Sequence, residues 1–277
     1  MKPIILVPTD FSENALLAAR FAIGLAARSH AEVFFLHTFT WLRSAFQGEH
    51  ENEVNRKEAE QNAGEEMDNF LANFTGESKM PETFLAEGHL PDAIDRFLSG
   101  SNVRLVVMGT TGASGLKYHV LGSNTFEVAK HLKGVPLVVV PPDVSRFGFE
   151  KVAFFTDFNP GDLQTIASLR AALPSLPGVI QLIHFGKPDN RVNEEAKLAE
   201  WAQTLKNKTG ISQISWSWVE GEEGVEAIRK LDEGFDLLML TQVERGFFEK
   251  LFSKSMAKEL IHRSPIPVFL INPIPEH

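Results

Sequence analysis

Residues 105–125 read LVVMGTTGASGLKYHVLGSNT. Four apolar residues, Leu105 to Met108, have the character of a buried strand, and they run into a segment punctuated by Gly109, Gly112, Gly115 and Gly122. From Ser123 the pattern turns helical, with Phe126, Val128, Ala129 and Leu132 on an apolar side and Glu127, Lys130 and Lys133 on a polar one. The order is strand, glycine-rich loop, helix. The first amides of a helix have no intrahelical partner, and together with the helix dipole they favour negative charge. Glycines just before them admit positive φ and a close backbone approach, so the stretch reads as a cradle for phosphate. It is neither a Walker loop, for no Gly-Lys-Ser/Thr follows, nor a GxGxxG turn, for its spacing is Gly109-x2-Gly112-x9-Gly122-Ser123.

Working outward, Ile4 to Pro8 predicts a strand buried on both faces, and Ser12 with Glu13 supplies a cap and first turn for a helix ending near Ser29. Glu32–Phe39 predicts the second strand. Arg43 to Arg56 is poorly patterned and reads as a loop or lid-like segment, whereas Met67, Phe70, Leu71 and Phe74 have helical spacing. Thr83–Ala86, Val103–Met108 and Val135–Val140 complete five strands. Strands alternating with helices imply a parallel sheet covered on both faces.

The pattern then restarts. Phe155-Thr156-Asp157-Phe158 echoes Pro8-Thr9-Asp10-Phe11, His184 answers His37, Glu220-Gly221 answers Glu87-Gly88, Leu237–Leu240 answers Leu105–Met108, and Ile266-Pro267-Val268 answers Val135-Pro136-Leu137. Echoes in one order indicate duplication at the scale of whole domains. The fold class expected is α/β, with two tandem doubly wound, Rossmann-like domains over residues 1–143 and 149–277. Where the first half has glycines, the second reads from Thr241 through Glu244, Gly246 and Phe247-Phe248 to Ser253. Glu244 and the two phenylalanines oppose phosphate by charge and size, so the second loop is expected to be degenerate.

Composition sets the class. The chain has 277 residues, 43% hydrophobic and 23% charged, which suits folded domains of ordinary size. A formal charge of −9 argues against nucleic acid as partner. With no cysteine there is no disulfide or thiolate chemistry. The N-terminal apolar run is too short for a signal-peptide core, and no window approaches a membrane span, so a cytoplasmic location and no membrane partner are expected.

The spacing G-x2-G-x9-G-S, with Pro8-Thr9-Asp10-Phe11 after the first strand, resembles the universal stress protein family. That resemblance implies a universal-stress-type fold and ATP as ligand, with contacts from Pro8, Thr9, Asp10, Gly109, Gly112, Gly122, Ser123 and Asn124. Asp10 also becomes the candidate to face Mg or Mn carried by the nucleotide. It further implies a regulatory stress-response role, and pairing through the fifth strands as an intramolecular pseudo-dimer or a homodimer. The alternatives are a slow ATPase or phosphotransferase and a nucleotide-free interaction scaffold. No residue set suited to positioning water or stabilising a transferring phosphoryl group is legible, so no catalytic residue is assigned. Asp157 is read as a helix cap, Asp10 as cap and site residue together. His37 and His184 are read as structural hydrogen-bonding residues, and Trp216 and Trp218 as core.

Overall fold

A computed structural model describes residues 2–46, 48–110, 122–142, 144, 148–173, 178–221, 234–241 and 264–272. The first strand, β1 (Ile4–Pro8), is buried at every position, and alternation sends Ile5 and Val7 to one face of the sheet and Ile4 and Leu6 to the other. Helix α1 (Glu13–Ser29) starts where the Ser12 hydroxyl accepts the Ala15 amide and ends at His30 in the left-handed conformation. Next come β2 (Glu32–Phe39), α2 (Glu49–Leu71), β3 (Glu82–Glu87), α3 (Leu90–Gly100), β4 (Val103–Gly109), α4 (Ser123–His131) and β5 (Leu137–Val140). The described elements of the second half are β6 (Lys151–Phe155), α5 (Asp162–Ala172), β7 (Val179–Gly186), α6 (Arg191–Thr209), β8 (Ile214–Glu220), β9 (Leu237–Thr241) and β10 (Val268–Ile271).

The ten described strands form one sheet in the order β3-β2-β1-β4-β5-β10-β9-β6-β7-β8. Every neighbouring pair is parallel except β5 and β10, which run antiparallel with Phe269 opposite Val138. Counted within its own half, each set of five runs 3-2-1-4-5, and the two meet at their fifth strands. Among the described helices, α1, α2, α5 and α6 pack on one face and α3 and α4 on the other. The inner strands β1, β4, β5, β6, β9 and β10 are buried on both faces, which is why they read as apolar runs, whereas the edge strands β3 and β8 are partly exposed.

The sequence reading shifts the bounds of β3 and β5 by one or two residues and misplaces the start of one helix. Helix α2 begins at Glu49, inside the segment read as a loop. Only Asn52, Ala63, Met67 and Phe70 are buried along its 23 residues, too sparse a stripe to show as periodicity. Its start is held by polar contacts. Glu51 accepts the Gly48 amide at 3.4 Å, and the buried Asn52 side chain takes the Ser44 amide while donating to the carbonyls of Ser44 and Gly48.

Candidate functional site

In a 3-2-1-4-5 sheet the crossovers leave β1 in opposite directions, and the carboxyl ends of β1 and β4 face a crevice at that reversal. Here a cleft of about 390 Å³ opens there. Pro8, Thr9 and Asp10 line it from the end of β1, Gly109 from the end of β4, and Gly122, Ser123 and Asn124 from the start of α4. Seven of the eight residues predicted from the sequence thus share one cavity; the eighth, Gly112, lies outside the described residues.

The wall is built by local bonds. The Thr9 hydroxyl accepts the Phe11 amide at 3.0 Å, which lets Phe11 sit at φ 63°, an unusual angle for a phenylalanine. Asp10 Oδ1 accepts the Ser12 amide at 3.2 Å and hydroxyl at 2.7 Å, so the carboxylate orients the residue that caps α1. The cap is Ser12, and Asp10 supports it rather than capping the helix itself. His37 Nδ1 lies 2.8 Å from the Thr9 carbonyl, and its ring stands 4.3 Å from that of Phe11. His37 makes the structural hydrogen bond expected of it, yet with Thr38 it also lines the cleft. Thr38 was not anticipated; its only signal was its place at the end of a strand. At the far wall, the Thr125 hydroxyl donates to the Gly109 carbonyl at 2.8 Å and the Gly122 amide to the Thr110 carbonyl at 2.8 Å, seating the N-terminus of α4 against β4.

Neither described glycine of the cleft has left-handed backbone, and at Gly109 it is close packing that excludes a side chain. Gly122 has φ −53°, and Gly109 is not among the positive-φ glycines. A Cβ at Gly109 would stand 2.5 Å from Asn14 Oδ1 and 2.7 Å from its Cγ. Asn14 has little freedom to yield, because it is buried, donates to the Val140 carbonyl at 3.1 Å and accepts the Thr110 hydroxyl at 3.3 Å. Gly109→Ala should therefore cost about 1–3 kcal/mol, the usual range for overpacking. Asn14→Ala should absorb part of that cost, so chemical denaturation of the two single variants and the double should give a coupling of about 1 kcal/mol. Strictly additive effects would mean that Gly109 is required for another reason.

In the second half the same framework is differently filled. Phe158 has φ 61°, its amide donates to the Thr156 hydroxyl at 3.0 Å, and His184 Nδ1 lies 2.8 Å from the Thr156 carbonyl. Thr241 stands where β4 has Gly109, and its hydroxyl donates to Asp162 Oδ1 at 2.7 Å. Asp162 also accepts from the Thr156 hydroxyl at 2.5 Å and Trp201 Nε1 at 3.1 Å. Burial raises its carboxyl above the ordinary 3.8, against the lowering effect of these three bonds. Asp157 is not a helix cap. Helix α5 begins after Gly161, and the Asp157 carboxylate faces His184. Of the two tryptophans read as core, Trp216 is 41% exposed, while Trp218 donates to Glu194 at 2.8 Å. Glu244, Phe247, Phe248 and Ser253 lie outside the described residues.

Among the described residues, no group of three or more His, Asp or Glu side chains could hold a metal, and no helix is long and apolar enough to cross a membrane. Residues 1–141 match the universal stress protein family. A universal stress protein of Methanocaldococcus jannaschii is 31% identical over 144 residues, covering 50% of the chain and 82% of that protein. A phosphoglycerate kinase of Prochlorococcus marinus is 31% identical over 120 residues, but these are 39% of the chain and only 29% of the kinase. Among solved structures, a universal stress protein of Archaeoglobus fulgidus superposes over 97% of the chain and 98% of its own length, with TM-score 0.70 and 18% identity, a likeness of fold. The family match over half of the chain, the relative from Methanocaldococcus and the shared architecture agree, and the chain belongs to the universal stress protein family.

Proposed function

We propose that this chain is an ATP-binding regulatory protein of the stress response, holding one nucleotide in the cleft between β1 and β4 and carrying out no chemistry on it. The observation that supports this most is the convergence of Asp10, Gly109, Gly122, Ser123 and Asn124 on one cavity at the N-terminus of α4. Its 390 Å³ falls in the range of small-molecule pockets. Helix amides and dipole would take the phosphates, while the ends of β1 and β2 would hold the rest of the ligand. We read residues 1–143 and 149–277 as two domains related by a pseudo-two-fold at the β5–β10 seam, with the nucleotide in the first alone. Support comes from the recurring 3-2-1-4-5 order and from Thr241, whose hydroxyl group is tied into a buried network at the position where the first half has Gly109 lining the cleft.

A divalent cation would sit between the phosphates and Asp10, since magnesium commonly takes one or two carboxylates together with phosphate oxygens and water. Asp10→Asn suits the test, because an amide oxygen can still accept from Ser12 and keep the α1 cap in place. ATP should raise the melting temperature of the wild type, more so with magnesium, and in Asp10→Asn the magnesium-dependent part should vanish. Equal ATP protection in all four conditions would remove Asp10 from the metal site. Absence of ATP protection in the wild type would refute nucleotide binding itself.

A further inference from the structure

The duplicated framework provides an internal comparison at its two histidines. His37 and His184 are each the sixth residue of a second strand of eight, each meets the carbonyl of a Thr-Asp-Phe turn at 2.8 Å, and each lies against that turn's phenylalanine, at 4.3 and 4.5 Å. Their surroundings differ. His37 borders the open cleft, whereas His184 is 7% exposed and stands between two carboxylates. Asp157 Oδ1 lies 3.4 Å from its Nδ1 and Glu194 Oε2 lies 3.7 Å from its Nε2. In the first half the corresponding Asp10 Oδ1 is engaged by Ser12.

The tautomer follows from the partners. Nδ1 faces a carbonyl and a carboxylate, both acceptors, and so carries the hydrogen. In neutral imidazole Nε2 then presents a lone pair to Glu194, an unfavourable pairing that a second proton turns into an attraction. Glu194 is aimed at this point from outside the pair. Its Oε2 accepts Trp218 Nε1 at 2.8 Å, and Gly186 has no Cβ where one would collide with that oxygen. The cations of α6 do not compete, since Lys197 lies over the Phe158 ring at 4.2 Å and Arg191 over Trp218 at 5.1 Å. On the α5 side the nearest acid is Asp162, bound to Thr156, Thr241 and Trp201.

We propose that His184, Asp157 and Glu194 form a proton-operated latch: the doubly protonated ring holds the start of α6 to the end of β7 through Glu194, and loss of the Nε2 proton releases it, while Nδ1 keeps its bond to the turn after β6. Burial pushes the imidazole down, but the bond to Asp157, the Thr156 carbonyl and the charges of Asp157 and Glu194 outweigh it, leaving the folded-state value above 6.5. A histidine whose folded value is raised contributes stability that is complete below its unfolded value and lost as pH rises through the folded one. The latch is therefore fully closed below 6.5 and opens as pH rises through the folded-state value, which lies above it. Asp157 makes the closer contact but its side chain is 70% exposed and screened, whereas Glu194, at 23%, is less so. The device does not depend on nucleotide.

Its test is an NMR titration of imidazole C–H resonances on the full chain, from about pH 5.5 to 8.5. His184 is assigned by the signal missing in His184→Asn. The expected midpoint is above 6.5 in the wild type and lower in Glu194→Gln, which keeps an acceptor for Trp218 but removes the charge. Tryptophan fluorescence should change at the same midpoint, because Trp218 is bonded to the latch. Should His184→Asn not fold, Glu194→Gln carries the test alone, since the resonance that moves identifies itself. A His184 midpoint at or below 6.5, or no resonance moving in Glu194→Gln, would overturn the latch.

Discussion

Gly122→Val should remove most of the ATP-dependent thermal stabilisation while leaving the ligand-free protein folded. The backbone at Gly122 has φ −53° and ψ 141°, which a valine adopts without strain, so the substitution spares the fold. The new side chain would enter the cleft at the N-terminus of α4, where phosphate is to sit. Forcing ligand and side chain into one space costs about 1–3 kcal/mol, or roughly five- to 150-fold in affinity. At a concentration about 100 times the wild-type dissociation constant, ATP adds about 2.7 kcal/mol of stability. After a hundredfold loss the same ATP would add only about 0.4 kcal/mol, since ligand then just equals its dissociation constant. A scan of melting temperature against ATP concentration separates the two, and full protection in Gly122→Val would move the phosphates elsewhere.

The second large effect concerns Asp162. Asp162→Ala removes the acceptor of Thr156, Thr241 and Trp201, of which Thr156 and Thr241 are buried, and Thr241 keeps Thr165 at 2.8 Å as an alternative partner. An unsatisfied buried group costs about 1–3 kcal/mol, so the variant should lose about that much, chiefly through Thr156. Asp162→Asn keeps an acceptor oxygen and should cost much less. The pH dependence separates charge from hydrogen bonding. Burial raises the folded-state value above 3.8, so the folded protein binds this proton more tightly than the unfolded chain. That contribution is complete below 3.8 and is lost as pH rises through the folded value, a slope that Asp162→Asn should lack. Urea denaturation across the acid range measures both. Equal costs for alanine and asparagine would mean that the bonds to Asp162 do not hold this region together.

Much of this was legible because it is carried by short runs of chain. The bounds of β1, α1 and β2 follow from apolar runs and from Ser12, and the structure places them where the sequence does. The cleft was legible because the ends of buried parallel strands must come together at one edge of the sheet, whatever the side chains do there. Three features were hidden. Helix α2 buries too few residues to announce its start. Asp157 aligns with Asp10 in sequence, but Asn159 and Pro160 delay the following helix, so Asp162 takes the buried place and Asp157 turns to His184. The reason for glycine at position 109 lies 95 residues away in Asn14, a contact that no local pattern encodes.

The account rests on one occupied cleft, and calorimetric titration of ATP into the wild type and Gly122→Val tests it most directly. One site per chain in the wild type, weakened by roughly two orders of magnitude in the variant, is the predicted result. No heat in the wild type, two sites per chain, or undiminished binding in Gly122→Val would contradict it.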